Sequence, residues 1–168
     1  VIPNTMSQNI SLSNPVFTAF ATSGLLLALK SLGTNIWVLT LKLRSSTVHA
    51  PEDKPFFDKT LGKGKLMTPK TGFGCDDPNV KRGYAVIQND SENFPMFYVV
   101  GGLYVATGGS SSLPFGMFTV ARYLHTLFYA WGVNPLGFTR GALYFTGLGA
   151  TIYMGVHVAK QINLGGIV

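Results

Sequence analysis

The sequence predicts an all-α integral-membrane four-helix bundle, and three observations predict it. Apolar residues make up 46% of the chain and charged residues 12%, where a soluble domain carries about a quarter charged. The apolar residues are gathered into long runs, and nine of the thirteen Lys and Arg fall between Lys42 and Arg82. The runs divide into spans at about 16–41, 87–107, 114–133 and 141–159, with a polar loop at 42–86. Each is of a length to cross a bilayer, and one basic loop between apolar spans is the layout of a multi-span membrane protein. With 168 residues there is room for a single transmembrane domain.

The same composition excludes several function classes. A pI of 9.6 is explained by the basic loop and membrane topology, so no nucleic-acid partner is expected. One cysteine, Cys75, leaves no internal disulfide and no multi-cysteine metal site, and no metal is expected. The Gly62–Lys65 stretch lacks the spacing and the Ser or Thr of a phosphate-binding loop. No secretory signal precedes Pro15.

Ser13 and Asn14 offer capping side chains and Pro15 suits a first helical turn, so the first span starts there and runs to Leu41. Lys30 interrupts it about 20 Å along the axis, too deep to reach either surface, and should face protein. Pro51, Pro55, Pro69 and Pro78 argue against a long helix in the loop that follows. The second span carries Pro95, where a kink beside Glu92 is expected. With a start near Ile87, Asn89, Glu92, Asn93 and Met96 share one face of it.

Ser110–Leu113 only reverses the chain, making spans two and three antiparallel neighbours. In the third span Phe118, Arg122, His125 and Tyr129 lie on one face. Arg122 is either a structural arginine paired with Glu92 or Asp90, or part of an anion site in the bundle; His125 reads as an interior histidine. Arg140 stands at the entry of the fourth span, where Gly147, Thr151 and Gly155 recur every four residues and serve helix packing. Four crossings put the basic loop and Arg140 on the cytoplasmic or matrix side and both termini opposite. Lys42, Arg82, Asn89, Glu92, Tyr129 and Arg140 then gather at one membrane face, with Arg122 beneath them. Such cations suit a ligand that has carboxylates and an anion to be stabilised. Glutathione fits that description, though spacing alone does not single it out.

Several stretches carry a resemblance to a known family: Val16–Thr22, Lys30, Ala50-Pro-Glu-Asp53, Asn89-Asp-Ser-Glu-Asn93, Ala121-Arg-Tyr-Leu-His-Thr126 with Tyr129, and Arg140-Gly-Ala-Leu143. Touching all four spans in order, they resemble the MAPEG family, the membrane-associated proteins of eicosanoid and glutathione metabolism, and within it the microsomal glutathione transferase branch. The resemblance implies a four-helix subunit in a homotrimer, with glutathione as substrate bound between subunits at the cytoplasmic face. It places glutathione contacts at Asn89, Glu92, Arg122 and Tyr129, with Arg140 as thiolate stabiliser and Lys42 where the family has an arginine. The chain departs from the family before Asn89, where a pair of arginines and a histidine are replaced by Tyr84, Ala85 and Ile87, leaving Arg82 from that basic run. The family's reactive loop cysteine falls at Lys54.

Two functions follow as expectations. The first is a membrane-embedded glutathione transferase or peroxidase of the endoplasmic reticulum or mitochondrial membrane, with Arg140 and Tyr129 catalytic and Lys42, Arg82, Asn89, Glu92 and Arg122 binding glutathione. The alternative is a catalytically degenerate MAPEG-like structural subunit, held among other membrane subunits of a larger assembly.

Overall fold

The computed structural model describes residues 8–45 and 77–162. Pro51, Pro55, Pro69, the Ala50–Asp53 and Gly62–Lys65 stretches, Lys54 and Cys75 lie outside the described residues. The chain is all-α, with helices α1 Pro15–Arg44, α2 Pro78–Ala106, α3 Leu113–Ala130 and α4 Thr139–Gln161.

Local chemistry sets each helix end. The Asn14 side chain accepts the Val16 N–H at 2.9 Å, and its carbonyl accepts Thr18 N–H at 3.0 Å, so Asn14 caps α1 with Pro15 in the first turn. The start of α2 differs from the sequence expectation near Ile87: the helix begins at Pro78. Asp77 is the reason, since its Oδ1 accepts the N–H groups of Asn79 and Val80 at 2.7 and 3.3 Å. An N-cap carboxylate followed by proline nucleates the helix inside the segment read as loop. The helix then continues through Pro95.

At its far end Gly108 takes φ +79°, Gly109 N–H bonds to Tyr104 O at 2.8 Å and Gly108 N–H to Val105 O at 3.0 Å. This paired return of N–H groups to the last turn needs a residue in the left-handed region, which glycine supplies without steric cost. Gly132, at φ +67°, closes α3 in the same way, with Val133 N–H on Phe128 O and its own N–H on Tyr129 O, both at 3.1 Å.

The described residues fall into two compact units. In the unit formed by Val1–Lys30 and Asp90–Val168, α3 packs on α4 and the core is aromatic. Phe97 stacks on Phe118 with centroids 4.1 Å apart, while Phe115 meets Phe97 edge-on and lies 5.5 Å from Phe20. Tyrosine hydroxyls tie α2 and α3 to α1: Tyr98 donates to Gly24 O at 3.1 Å and Tyr123 to Leu26 O at 2.8 Å. In the Ser31–Asn89 unit Val38 packs so closely on Gly83 that a Cβ there would overlap it, and Val80 and Val86 are fully buried.

The outward faces are apolar. Leu25, Leu29, Leu32 and Ile36 form an exposed stripe on α1, and α1 and α4 are each long and apolar enough to cross a membrane. Leucines left outside a packed bundle are accounted for by lipid as the solvent on that side.

Gly109 allows a mutational test of this packing. A Cβ there would overlap the ring of the fully buried Tyr104, whose hydroxyl also accepts Ser111 N–H at 3.1 Å. Gly109→Ala should therefore cost about 1–3 kcal/mol, read as a lower thermal unfolding midpoint in detergent. An unchanged midpoint would show that the α2–α3 corner yields freely.

Candidate functional site

Two polar clusters form within the first unit, and the helical period decides which side chains enter them. On α3, Phe118, Arg122 and His125 are buried and Tyr129 is half-buried, the face expected from their spacing. On α2 the buried polar residues are Asp90 and Asn93, in register with Phe94 and Phe97. Of the face expected from Asn89, Glu92, Asn93 and Met96, Asn93 is buried, whereas Glu92 and Met96 are exposed and Asn89 is half-buried, so the helix is turned part of the way from that expectation. Phe97 stacking on Phe118 fixes that rotation.

The deeper cluster holds charges that an apolar environment tolerates only with partners. Lys30 Nζ lies 2.6 Å from Asp90 Oδ2, with the two side chains 3% and 9% exposed, and 5.3 Å above the Phe94 ring. Lys30 thus faces protein, as its depth in α1 requires. Arg122, 1% exposed, donates from Nη2 to Asn93 Oδ1 at 2.8 Å. Asp90 lies near enough to attract it, but the Asp90 ion pair is with Lys30. The Asn93 amide is thus an acceptor for Arg122 that its spacing from Glu92 and Asp90 does not single out. Asp90 is in direct contact with Lys30, and Asn93, three residues further along the same α2 face, meets the guanidinium.

The Arg122 guanidinium is also flanked by the rings of Phe118 at 5.1 Å and Tyr144 at 5.4 Å. Gly147 makes the space, since a Cβ on it would come 2.9 Å from Nη2. Its place in a stripe of small residues was legible, but its neighbour, an arginine from α3, was not.

The shallower cluster joins the end of α3 to the start of α4. Arg140 Cζ lies 4.6 Å over the Tyr129 ring, and the His125 ring stands 4.9 Å from the same ring. Tyr129 thus carries a cation over its ring and a tilted imidazole against it. Arg140 sits in the first turn of α4, its N–H turned toward Asn134 Oδ1 at 3.4 Å. Both Arg140 and Tyr129 keep partial exposure, so a solute could reach them.

The other site residues belong to the second unit. Lys42 lies in the last turn of α1 and is half-buried, while exposed Arg82 reaches Asn79 Oδ1 at 3.4 Å. Asn89 closes that unit. Tyr84 and Ile87 are half-buried and Ala85 is exposed.

The sequence pattern of the MAPEG family matches residues 20–160, a stretch that takes in every one of these positions. The chain belongs to the MAPEG family. As a MAPEG protein it is a membrane-embedded helical bundle, and members of that family use glutathione. Comparison with curated proteins gives no match. Among the described residues no group of three or more His, Cys, Asp and Glu is arranged to hold a metal ion.

Proposed function

We propose that this MAPEG protein is a glutathione transferase or peroxidase of the microsomal transferase kind, acting on lipophilic electrophiles in the endoplasmic reticulum or mitochondrial membrane. One observation carries the reading: Arg140 is held over Tyr129 at the accessible end of the α3–α4 pair. Stacking fixes the guanidinium plane and leaves its edge N–H groups free to meet an anion. A glutathione thiol brought to that edge loses its proton to solvent, and the thiolate is the nucleophile. In conjugation of a chlorinated nitroarene, sulfur forms the new C–S bond and chloride leaves with the bonding pair.

By resemblance to the family, Lys42, Arg82, Asn89 and Glu92 are the residues we assign to glutathione contact. The exposure of Glu92 on a single chain suits a site completed by a second subunit, as in the family's homotrimers. Arg122 is the remaining residue we assign to glutathione binding. Buried, stacked and bonded to Asn93, it supports the site from beneath.

A second reading, a structural subunit that keeps the fold without the chemistry, is favoured by one specific feature. Tyr84, Ala85 and Ile87 replace the cationic run that clamps glutathione's carboxylates in the family. Three missing contacts at about 1.5–3 kcal/mol for each hydrogen bond to a charged group would remove useful affinity.

Calorimetric titration of the detergent-purified protein with glutathione separates the two. Saturable heat at millimolar glutathione or below, with turnover of a chlorinated nitrobenzene at neutral pH, is the expected result. No heat from intact, folded protein would overturn the transferase reading.

A further inference from the structure

The segment joining α3 to α4 combines two properties that seldom occur together in a loop facing water. Its side chains are large, apolar and outward: Trp131, Leu136 and Phe138 are 66%, 68% and 65% exposed. No charged residue occurs between Arg122 and Arg140.

Much of its backbone, meanwhile, is paired internally. The N–H groups of Trp131 and Val133 reach back to Leu127 O and Phe128 O at 2.9 and 3.1 Å, and Gly137 N–H bonds to Asn134 O at 2.9 Å. The Asn134 side chain donates to Gly137 O, and Leu136 N–H finds Thr139 Oγ1 at 3.3 Å. A loop in bulk water can leave these groups to solvent and gains from polar side chains. Internal pairing beneath an apolar exterior is what a segment needs where water is scarce.

The loop also continues an apolar stripe along the outer face of α3. Leu113, Met117, Val120, Leu124, Leu127 and Trp131 follow the helical period, and all six are exposed. From Leu113 to Trp131 the stripe runs about 27 Å by the usual helical rise, close to the ~30 Å of a bilayer's hydrocarbon core. It ends in an indole, the side chain that prefers the boundary between hydrocarbon and headgroups. Past the loop the next charge is Arg140, a cation of the kind that pairs with phospholipid phosphates.

We propose that the Trp131–Phe138 loop is a lipid-binding surface, inserted into the interfacial layer of the bilayer, with the phospholipid glycerol and upper acyl region as its partner. The loop then fixes the depth of α3, and with it the depth of Tyr129 and Arg140, at the headgroup boundary. This holds whether or not the protein turns over glutathione.

Tryptophan quenching in reconstituted phosphatidylcholine vesicles tests it. Subtracting the emission of Trp131→Phe from that of the parent isolates Trp131 and leaves Trp37, which packs near Gly83, untouched. The expected result is loss of most of this component when bromines sit on the upper acyl carbons. Bromines near the chain ends should quench it less, and aqueous acrylamide should reach it poorly. Three outcomes would overturn the proposal. Free access of acrylamide with bromolipids silent would place the loop in water, and stronger quenching by deep bromines would place it in the hydrocarbon core. Shielding from both would mean that a protein surface covers it. Circular dichroism and elution volume of Trp131→Phe matching the parent confirm that the comparison is between folded proteins.

Discussion

Replacing Lys30 with methionine should lower the stability of the folded protein by about 3–5 kcal/mol, the usual loss when one member of a buried ion pair is removed. The cause is not the 2.6 Å contact itself but what its loss leaves behind. Asp90, buried beside Phe94 and below the helix ends, would be left without its ion-pair partner. Methionine keeps the length and the contact with Phe94, so little of the effect can be assigned to packing. The pair replaced as a whole, Lys30→Met with Asp90→Leu, should regain most of the lost stability, because well-packed apolar residues often match or exceed a buried ion pair. Thermal unfolding in detergent, followed by circular dichroism, measures all three. A single variant as stable as the parent would mean that water or detergent reaches Asp90, and the closed interior described for this cluster would be wrong.

This ion pair also shows what the sequence could and could not tell. The depth of Lys30 in an apolar run required a protein-facing position, and depth alone is enough for that inference. Its partner was not legible. Asp90 and Glu92 are the acids the sequence offers to Arg122, and spacing of residues along a helix gives each face without saying which face turns inward. On α2 the inward face holds Asp90, Asn93 and Phe97, and it shares only Asn93 with the face of Asn89, Glu92, Asn93 and Met96. The choice between them was made by Phe97 stacking on Phe118 of α3, a contact distant in sequence. On α3 the face was unambiguous because arginine, histidine and tyrosine fell among strongly apolar neighbours, and those residues are indeed the ones turned toward the bundle or its accessible end.

Helix limits were legible where capping chemistry was noticed and wrong where proline was read only as a breaker. Asn14-Pro15 and Asp77-Pro78 are equivalent starts, each a capping side chain followed by a first-turn proline, although Pro78 stands at the end of a proline-rich polar segment. Proline in a first turn and proline in a helix interior have opposite meanings, and the capping side chain before it distinguishes them. At Gly147 the stripe of small residues was read correctly as a place of close approach. The approaching group is the Arg122 guanidinium, so the glycine serves a charge as well as a helix crossing.

Arg140→Ala should reduce kcat for glutathione conjugation by about 10²–10³-fold while leaving the KM for glutathione within about twofold. The asymmetry follows from when the charge appears. A bound thiol is neutral and gains little from the guanidinium, whereas the thiolate that attacks the electrophile carries a full charge; the interaction is thus concentrated beyond the ground state. The geometry adds a second arm. Arg140 is oriented by the Tyr129 face 4.6 Å away, so Tyr129→Phe, which keeps the face and removes the hydroxyl, isolates the hydroxyl's own part in the chemistry. Arg140→Lys keeps the charge and loses the planar stack; activity between that of Arg140→Ala and the parent would show that orientation matters as well as charge. Steady-state kinetics on the three variants, with glutathione varied at saturating electrophile, gives kcat and KM separately. If Arg140→Ala raised KM and spared kcat, the guanidinium would be a carboxylate clamp, a role that the basic run replaced by Tyr84, Ala85 and Ile87 no longer supplies. If the parent and all three variants were alike, the stack of Arg140 on Tyr129 would be a structural joint between α3 and α4, as expected for a subunit that has kept the family's fold without its chemistry.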